Sequence, residues 1–365
     1  MRPVIVYRDH ILPRSEVAFM QRQYLGFDRL EPVWIGRRVT ADYVPGSLAL
    51  GPIFTGARGA LFKALGMVPD LAGLRALNVA CVHAQFGRGG ALALPLAKAL
   101  GVPLAVTFHG GDAHKSAHWS RFSLQRQRMR GMIEYASAFV CVSEGVRLKL
   151  VERGVPPSKL LVHPIGVEIP PLRPRANAGE GLLFIGRFVE MKGLPVLIDA
   201  VKLLRARGNQ ANLVVIGDGP DRPSIEAALA GVTNVELRGW QTQEHISDAI
   251  TAARVVVIPS VIARSGETEG LPSVAMEAMR MATPVVASSD ASTLGLIRPG
   301  ENGLVVPSRQ PAALADAIEH LLTDPDTAMA LGAAGRLTVE QDFNAEIQSR
   351  GLQDLLLNAA QPRSR

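Results

Sequence analysis

Glu267-Thr268-Glu269-Gly270-Leu271-Pro272-Ser273-Val274-Ala275-Met276-Glu277-Ala278-Met279-Arg280-Met281-Ala282-Thr283-Pro284-Val285-Val286-Ala287-Ser288-Ser289 is the stretch that decides how this chain is read. Glu269 and Glu277 are separated by seven residues. Gly270 permits an unusual turn. Pro272 suits the first turn of a helix, where its missing N–H has no partner to lose. The Ala- and Met-rich run Ser273 to Met281 reads as that helix. Thr283-Pro284 ends it, and Val285-Val286-Ala287 reads as a short buried strand. One carboxylate then precedes a helix and the other lies one to two turns inside it. Free N–H groups at a helix start can hold an anion, and carboxylates accept from hydroxyls. That combination suits a diphosphate between two polyols, as in a sugar nucleotide.

On both sides of this stretch, short Val/Ile/Leu/Phe runs alternate with longer helical patterns. In the first half the strands are expected near Val4–Tyr7, Val33–Ile35, Leu77–His83, Leu104–Phe108, Phe139–Val142 and Leu160–Val162. In the second half they are expected near Leu182–Ile185, Leu213–Ile216, Val235–Leu237, Val255–Ile258, Val285–Ala287 and Leu304–Val306. Alternation of this kind predicts parallel sheets covered by helices on both faces, here two of them, hence two Rossmann-like domains. The Pro-rich segment Ile169 to Asn177 reads as the linker. Ligands of open α/β sheets bind beyond the carboxyl ends of the strands, which predicts a site in a central cleft that the two domains face.

Charge separates the halves as well. Residues 1–175 carry 23 Lys/Arg and 11 Asp/Glu, a net +12, whereas residues 176–365 carry 16 and 22, a net −6. Two domains with different partners are implied. No helix-turn-helix, zinc-finger or RNP-type pattern occurs, so nucleic acid is not expected; an anionic membrane surface or a phosphate-bearing acceptor fits better. No run of 18 apolar residues suggests a transmembrane helix. The first residues, Met-Arg-Pro-Val-Ile-Val-Tyr, read as a strand and not as a signal peptide, which points to a cytoplasmic protein with peripheral membrane contact. Cys81 and Cys141 lie in apolar runs and are expected as reduced core thiols.

The pair Glu269/Glu277, followed by Glu277-Ala278-Met279-Arg280-Met281-Ala282-Thr283-Pro284-Val285-Val286-Ala287-Ser288, resembles the signature of the retaining glycosyltransferases of family GT4, which have the two-domain GT-B fold. Other landmarks agree. Gly186-Arg187, with Lys192-Gly193 after it, matches the family's G-R-x-x-x-x-K-G pattern, and a bidentate Arg with a compact Lys charge suits a diphosphate. Gly217-Asp218-Gly219-Pro220 matches a family turn, although G-x-G alone is weak evidence for nucleotide binding. His109-Gly110-Gly111-Asp112, at a strand tip, looks like the family's H-G-x-D motif, whose His and Asp reach the reaction centre. Val82-His83-Ala84-Gln85-Phe86-Gly87 is similar to the H-A-H-F-G segment of bacterial exopolysaccharide (colanic-acid type) transferases, with Gln85 where His is usual. That substitution argues against a catalytic role at position 85, and His83 reads as a satisfied structural histidine. Ser15-Glu16 and Phe19 fit the S-E-x-x-F variant of the same subgroup, in place of the Gly-rich loop most members carry. His114 and His118 form no compact ligand cluster with His109, so zinc is not expected.

The resemblance implies transfer of a sugar, with retention, from a nucleoside-diphosphate sugar to a glycan or lipid-linked acceptor in exopolysaccharide or cell-envelope glycan synthesis. It implies an acceptor-binding domain of residues 1–170 plus about 345–365 and a nucleotide-sugar-binding domain of residues 176–344. The helical pattern Val339 to Leu357 is expected to cross back to the first domain. Glu277 is expected on the ribose hydroxyls, and Glu269 with the N–H groups of Gly270 and Leu271 on the donor sugar. Arg187 and Lys192 are expected on the diphosphate, with no metal and no other cofactor. His109, with Glu269, is the catalytic candidate; it either bonds the donor sugar or holds the acceptor. Arg14 and Asp112 are candidates for acceptor contact. Two rival readings keep the same residues: a GT-B-fold nucleotide-sugar epimerase or hydrolase, and a non-catalytic nucleotide-sugar-binding protein.

Overall fold

The computed structural model describes residues 1–11, 20–36, 38–39, 54–114, 124–172, 181–291 and 295–360. The chain divides into two compact units, Met1–Gly166 with Ala345–Arg365, and Val167–Asn344.

Unit 1 is built on six strands: β1 (Arg2–Tyr7), β2 (Leu30–Ile35), β3 (Val82–Gln85), β4 (Leu104–Phe108), β5 (Ala138–Cys141) and β6 (Leu160–Val162). They pair in parallel in the order β2-β1-β3-β4-β5-β6. Unit 2 repeats the plan with β7 (Leu182–Ile185), β8 (Leu213–Ile216), β9 (Val235–Gly239), β10 (Val255–Ile258), β11 (Val285–Ser288) and β12 (Leu304–Val306), ordered β9-β8-β7-β10-β11-β12 and again parallel. Strands covered on both faces must be apolar along their whole length. β4 and β10 are buried at every residue, which is why continuous Val/Ile/Leu runs mark them.

The first strand residue near position 80 differs from expectation. Leu77 closes the helix Leu71–Ala76, Asn78 turns left-handed with φ 50°, and pairing starts only at Val82. The helix after Glu269 is also shorter than expected. Pro272 caps it from an extended conformation, and helix α1 runs Ser273–Met279 before Ala282 turns left-handed. Gly270 is not in the left-handed region; the left-handed glycine of this loop is Gly266, φ 80°.

The C-terminal pattern is two helices, α2 (Pro325–Asp342) and α3 (Ala345–Ala359), instead of one from Val339 to Leu357. At the break the Phe343 carbonyl accepts from the Val167 N–H at 2.7 Å, and Val167 pairs with Asn344 in a parallel bridge. Phe343 is buried in the unit 2 core. The segment leaving that pairing is tethered too, since Arg280 donates to the Glu168 carbonyl at 3.0 Å and Arg336 to the Pro170 carbonyl at 2.8 Å. The expected linker is therefore fixed at its start; its later part, from residue 173, lies outside the described residues.

Helix α3 belongs to unit 1, where Leu352 and Leu356 join the core with Val4, Leu30 and Val140. Gln353 secures it. Its Oε1 accepts the N–H groups of Asp28 (3.0 Å), Arg29 (2.8 Å) and Leu30 (2.9 Å), and its Nε2 donates to Asp28 Oδ1 at 2.6 Å.

Candidate active site

In unit 2 the candidate residues gather at the carboxyl ends of β7, β10 and β11. The turns there need backbone proximity that only glycine permits. A Cβ on Gly217 would stand 1.9 Å from the Gly186 carbonyl oxygen, and one on Gly193 would stand 1.8 Å from that of Pro259. The Gly217-Asp218-Gly219 turn thus serves loop packing, and Gly193 seats the short 3-10 turn Glu190–Lys192 against the end of β10.

That seating aims Lys192. Its Nζ lies 2.5 Å from Glu269 Oε1, and the Ser260 hydroxyl donates to the same oxygen at 3.1 Å. Ser288, the last residue of β11, donates in turn to the Ser260 carbonyl. Glu269 is 7% exposed, so its charge is held in low dielectric with its counter-charge beside it. Oε2 takes no bond from any described residue. The sequence placed Lys192 and Glu269 on separate parts of a ligand; the structure makes them an ion pair. Neither Gly270 nor Leu271 gives its N–H to an acceptor among the described residues. Arg187 is exposed, and its guanidinium has no partner among them either. Glu277 is buried on α1, 8% exposed, one turn before the buried Arg280.

In unit 1 the expected motif stands at the end of β4. Gly110 adopts φ 118°, which needs glycine, and Gly111 opens the short helix Gly111–His114. The Asp112 carboxylate, 8% exposed, accepts the N–H groups of His109 (2.9 Å) and Gly110 (3.0 Å) on one oxygen and of Gly87 (2.9 Å) on the other. It thereby ties the turn after β4 to the turn after β3. Burial pushes its acid up to about 6 against the pull of those N–H groups.

His109 is half-buried. Its Nε2 donates to Gln85 Oε1 at 2.6 Å. The Gln85 amino group donates to Gln23 Oε1 at 2.9 Å and to the Tyr24 hydroxyl at 2.7 Å. The Tyr24 hydroxyl shares a hydrogen bond with His83 Nδ1 at 2.8 Å, and His83 Nε2 shares one with Thr107 Oγ1 at 2.7 Å. His83 is fully buried and bonded at both nitrogens, the structural histidine expected. Burial holds both rings well below the ordinary imidazole range, each to about 3, helped at His109 by the Arg8 guanidinium and at His83 by His163. Both are neutral at physiological pH.

Two residues went unforeseen here. Arg8, just past β1, stacks its guanidinium 4.8 Å from the centroid of the Phe86 ring, and Phe86 lies 4.5 Å, ring to ring, from His109. Phe86 holds φ 68°, a strained conformation for a residue with a Cβ, worth about 1–3 kcal/mol. Arg14 lies outside the described residues, as do Ser15, His118 and Arg121. Arg128, part of the basic helix Leu124–Tyr135, is structural: it donates to the Lys63 and Ala64 carbonyls at the end of the helix Gly56–Leu65. Cys81 and Cys141 are buried free thiols, pushed up to about 12 by burial. No cluster of three or more His, Cys, Asp or Glu able to hold a metal occurs among the described residues. Nor does any described helix have the length and apolarity to cross a membrane.

Residues 179–324 match the family model of glycosyl transferases group 1, and residues 22–166 match that of the glycosyl transferase 4-like domain. The chain belongs to the GT4-type glycosyltransferases. The chain is similar to the amylovoran biosynthesis glycosyltransferase AmsK of Erwinia amylovora, 29% identical over 290 residues, 77% of this chain and 70% of that one. It is similar as well to WcaL of Salmonella typhimurium, a glycosyltransferase named for colanic acid biosynthesis, 28% identical over 284 residues, 75% of this chain and 69% of that one. Among solved structures, Anabaena HepE in complex with UDP and glucose superimposes with a TM-score of 0.77 at 17% identity, covering 98% of this chain and 99% of that one. A GT4 enzyme of GT-B fold is thus the frame for both strand-end clusters.

Proposed function

We propose that this enzyme transfers a sugar, with retention, from a nucleoside-diphosphate sugar to a glycan or lipid-linked acceptor in exopolysaccharide or cell-envelope glycan synthesis. The observation that carries the reading is the buried Glu269–Lys192 pair with the exposed Arg187 at the strand ends of unit 2. Glu269 Oε2 and the N–H groups of Gly270 and Leu271 hold donor-sugar hydroxyls, and Glu277 accepts from the ribose. Lys192 and Arg187 neutralise the diphosphate, so no metal ion is required. His109 serves the reacting centre, and Asp112 fixes the turn that presents it.

In this reading the acceptor oxygen attacks the anomeric carbon on the face the diphosphate leaves. The C–O bond to phosphate breaks as the new bond forms, and the acceptor proton passes to the departing phosphate oxygen. Amylovoran and colanic acid synthesis, for which AmsK and WcaL are named, and the UDP and glucose bound by HepE support this substrate class. The basic N-terminal half, net +12 over residues 1–175, supports a cytoplasmic enzyme in peripheral contact with an anionic membrane.

Calorimetric titration with UDP-, GDP- and ADP-sugars, followed by turnover in EDTA, tests the reading. One nucleotide class binds, and product forms only with an acceptor, undiminished by EDTA. Free sugar released at full rate without acceptor, or activity that needs Mg²⁺ or Mn²⁺ after EDTA, contradicts it.

A further inference from the structure

Ser260 lies two residues past β10 and is 1% exposed. Its hydroxyl donates to Glu269 Oε1 at 3.1 Å, the oxygen that Lys192 Nζ also meets at 2.5 Å. Both bonds thus converge on one oxygen of a carboxylate whose two oxygens are chemically alike. Oε2 takes no bond from any described residue, and it is not one of the buried atoms left without a partner. The two partners of Oε1 differ in stiffness. Lys192 reaches it on a flexible four-carbon stem, so its ammonium can follow the carboxylate as it turns. The Ser260 oxygen has a single rotatable bond behind it, and the backbone that carries it is pinned. The Ser260 carbonyl accepts from the Ser288 hydroxyl, and the next N–H, of Val261, donates to the Met191 carbonyl at 2.9 Å. The residue before Glu269 is held as well, because the Thr268 hydroxyl donates to the Asp290 carbonyl at 2.8 Å.

We infer that Ser260 is a positioning residue for Glu269: its hydroxyl holds one carboxylate oxygen inward beside Lys192 and so keeps the other turned to the ligand. Lys192 supplies the counter-charge, and Ser260 supplies the direction. A carboxylate oxygen accepts and cannot donate. The group that the outward oxygen selects is therefore a hydroxyl of the donor sugar, and it repels a phosphate oxygen. The binding half of this inference rests on the role proposed above for Glu269; the orientation of the carboxylate does not.

Crystal structures of the full chain without ligand test the orientation. In wild type one oxygen of Glu269 should sit between Ser260 Oγ and Lys192 Nζ, with the other unbonded by protein. In Ser260→Ala the carboxylate should turn away from this direction or settle in more than one. Calorimetry and turnover test the binding half. With the UDP-, GDP- or ADP-sugar that turns over in the screen above, Ser260→Ala should lower kcat/KM about 10-fold or more. Affinity for the matching free nucleoside diphosphate should stay within about 3-fold of wild type, a split that a general loosening of unit 2 would not give. Added to Glu269→Gln, Ser260→Ala should cost little more. A carboxylate that keeps its single direction in Ser260→Ala overturns the positioning. Equal weakening of the nucleotide-sugar and the free nucleotide, or a full further loss on top of Glu269→Gln, makes Ser260 merely structural. Normal turnover by Glu269→Gln, with the expected crystal structures, overturns the role of Glu269 and the binding half while upholding the positioning.

Discussion

Lys192 Nζ stands 2.5 Å from Glu269 Oε1, across a gap of 77 residues in sequence and between two side chains that are 24% and 9% exposed. The cation assigned to a phosphate and the carboxylate assigned to a sugar are therefore one unit before any ligand arrives. The pair keeps the carboxylate aimed, at the expense of tying up the cation.

Lys192→Ala should destabilise the protein by about 3 kcal/mol, because it leaves the buried Glu269 charge unmatched. Glu269→Gln added to it should restore much of that stability. Urea melts of the two single variants and the double variant check this; a double variant less stable than Lys192→Ala would mean the two side chains do not act together.

Arg187 has no partner among the described residues, so Arg187→Ala should leave stability within about 0.5 kcal/mol of wild type. It should nonetheless weaken binding of a free nucleoside diphosphate by about 10-fold or more, with a smaller effect at high salt. Calorimetry with UDP, GDP and ADP measures it. Unchanged affinity for all three would move the diphosphate elsewhere.

Gln353→Ala should cost about 2 kcal/mol or more, since three backbone N–H groups lose their acceptor at once. The urea midpoint should drop with it. A midpoint equal to that of wild type would show that α3 is held by its apolar face alone.

Acid should destabilise the fold through its buried histidines. His83 and His109 have folded pKa values of about 3 against an ordinary 6.5, so the unfolded chain binds more protons between these limits. Their contribution is complete above pH 6.5 and is lost as pH falls, by up to about 1.4 kcal/mol per pH unit for each ring. Asp112, raised to about 6, acts in the opposite sense: the penalty on its charged form is full above pH 6 and relieved below it. Two rings outweigh one acid, so thermal midpoints should fall from pH 6.5 to pH 4. A constant midpoint over that range would contradict the burial of these rings.

Much of the fold was legible because parallel strands buried on both faces can be little else than apolar runs. Leu104–Phe108, Leu182–Ile185, Leu213–Ile216 and Val255–Ile258 fall where the sequence puts them. What was not legible depends on distance in the chain. Nothing near Lys192 announces Glu269, and nothing near Phe343 announces that Val167 will bond its carbonyl where a helix of continuing periodicity is interrupted. Gln85 was discounted because it replaces a histidine. A polar residue ending a buried strand, four residues after Cys81 and beside a glycine turn, was a signal that it had to be bonded inward.

The pairing of Val167 with Phe343 and Asn344 puts the first and last residues of unit 2 side by side. Unit 2 is in this sense a cassette: one unbroken stretch, Val167–Asn344, whose two ends meet at a single doorway, threaded into a host whose own sequence it interrupts once. A segment with adjoining ends can be lifted out, closed with a short loop, or exchanged for the matching segment of a relative without stretching the host. On the expected division of labour, with the donor on unit 2 and the acceptor on unit 1, the two preferences are inherited separately, and chimaeras joined at Gly166/Val167 and Asn344/Ala345 test that division.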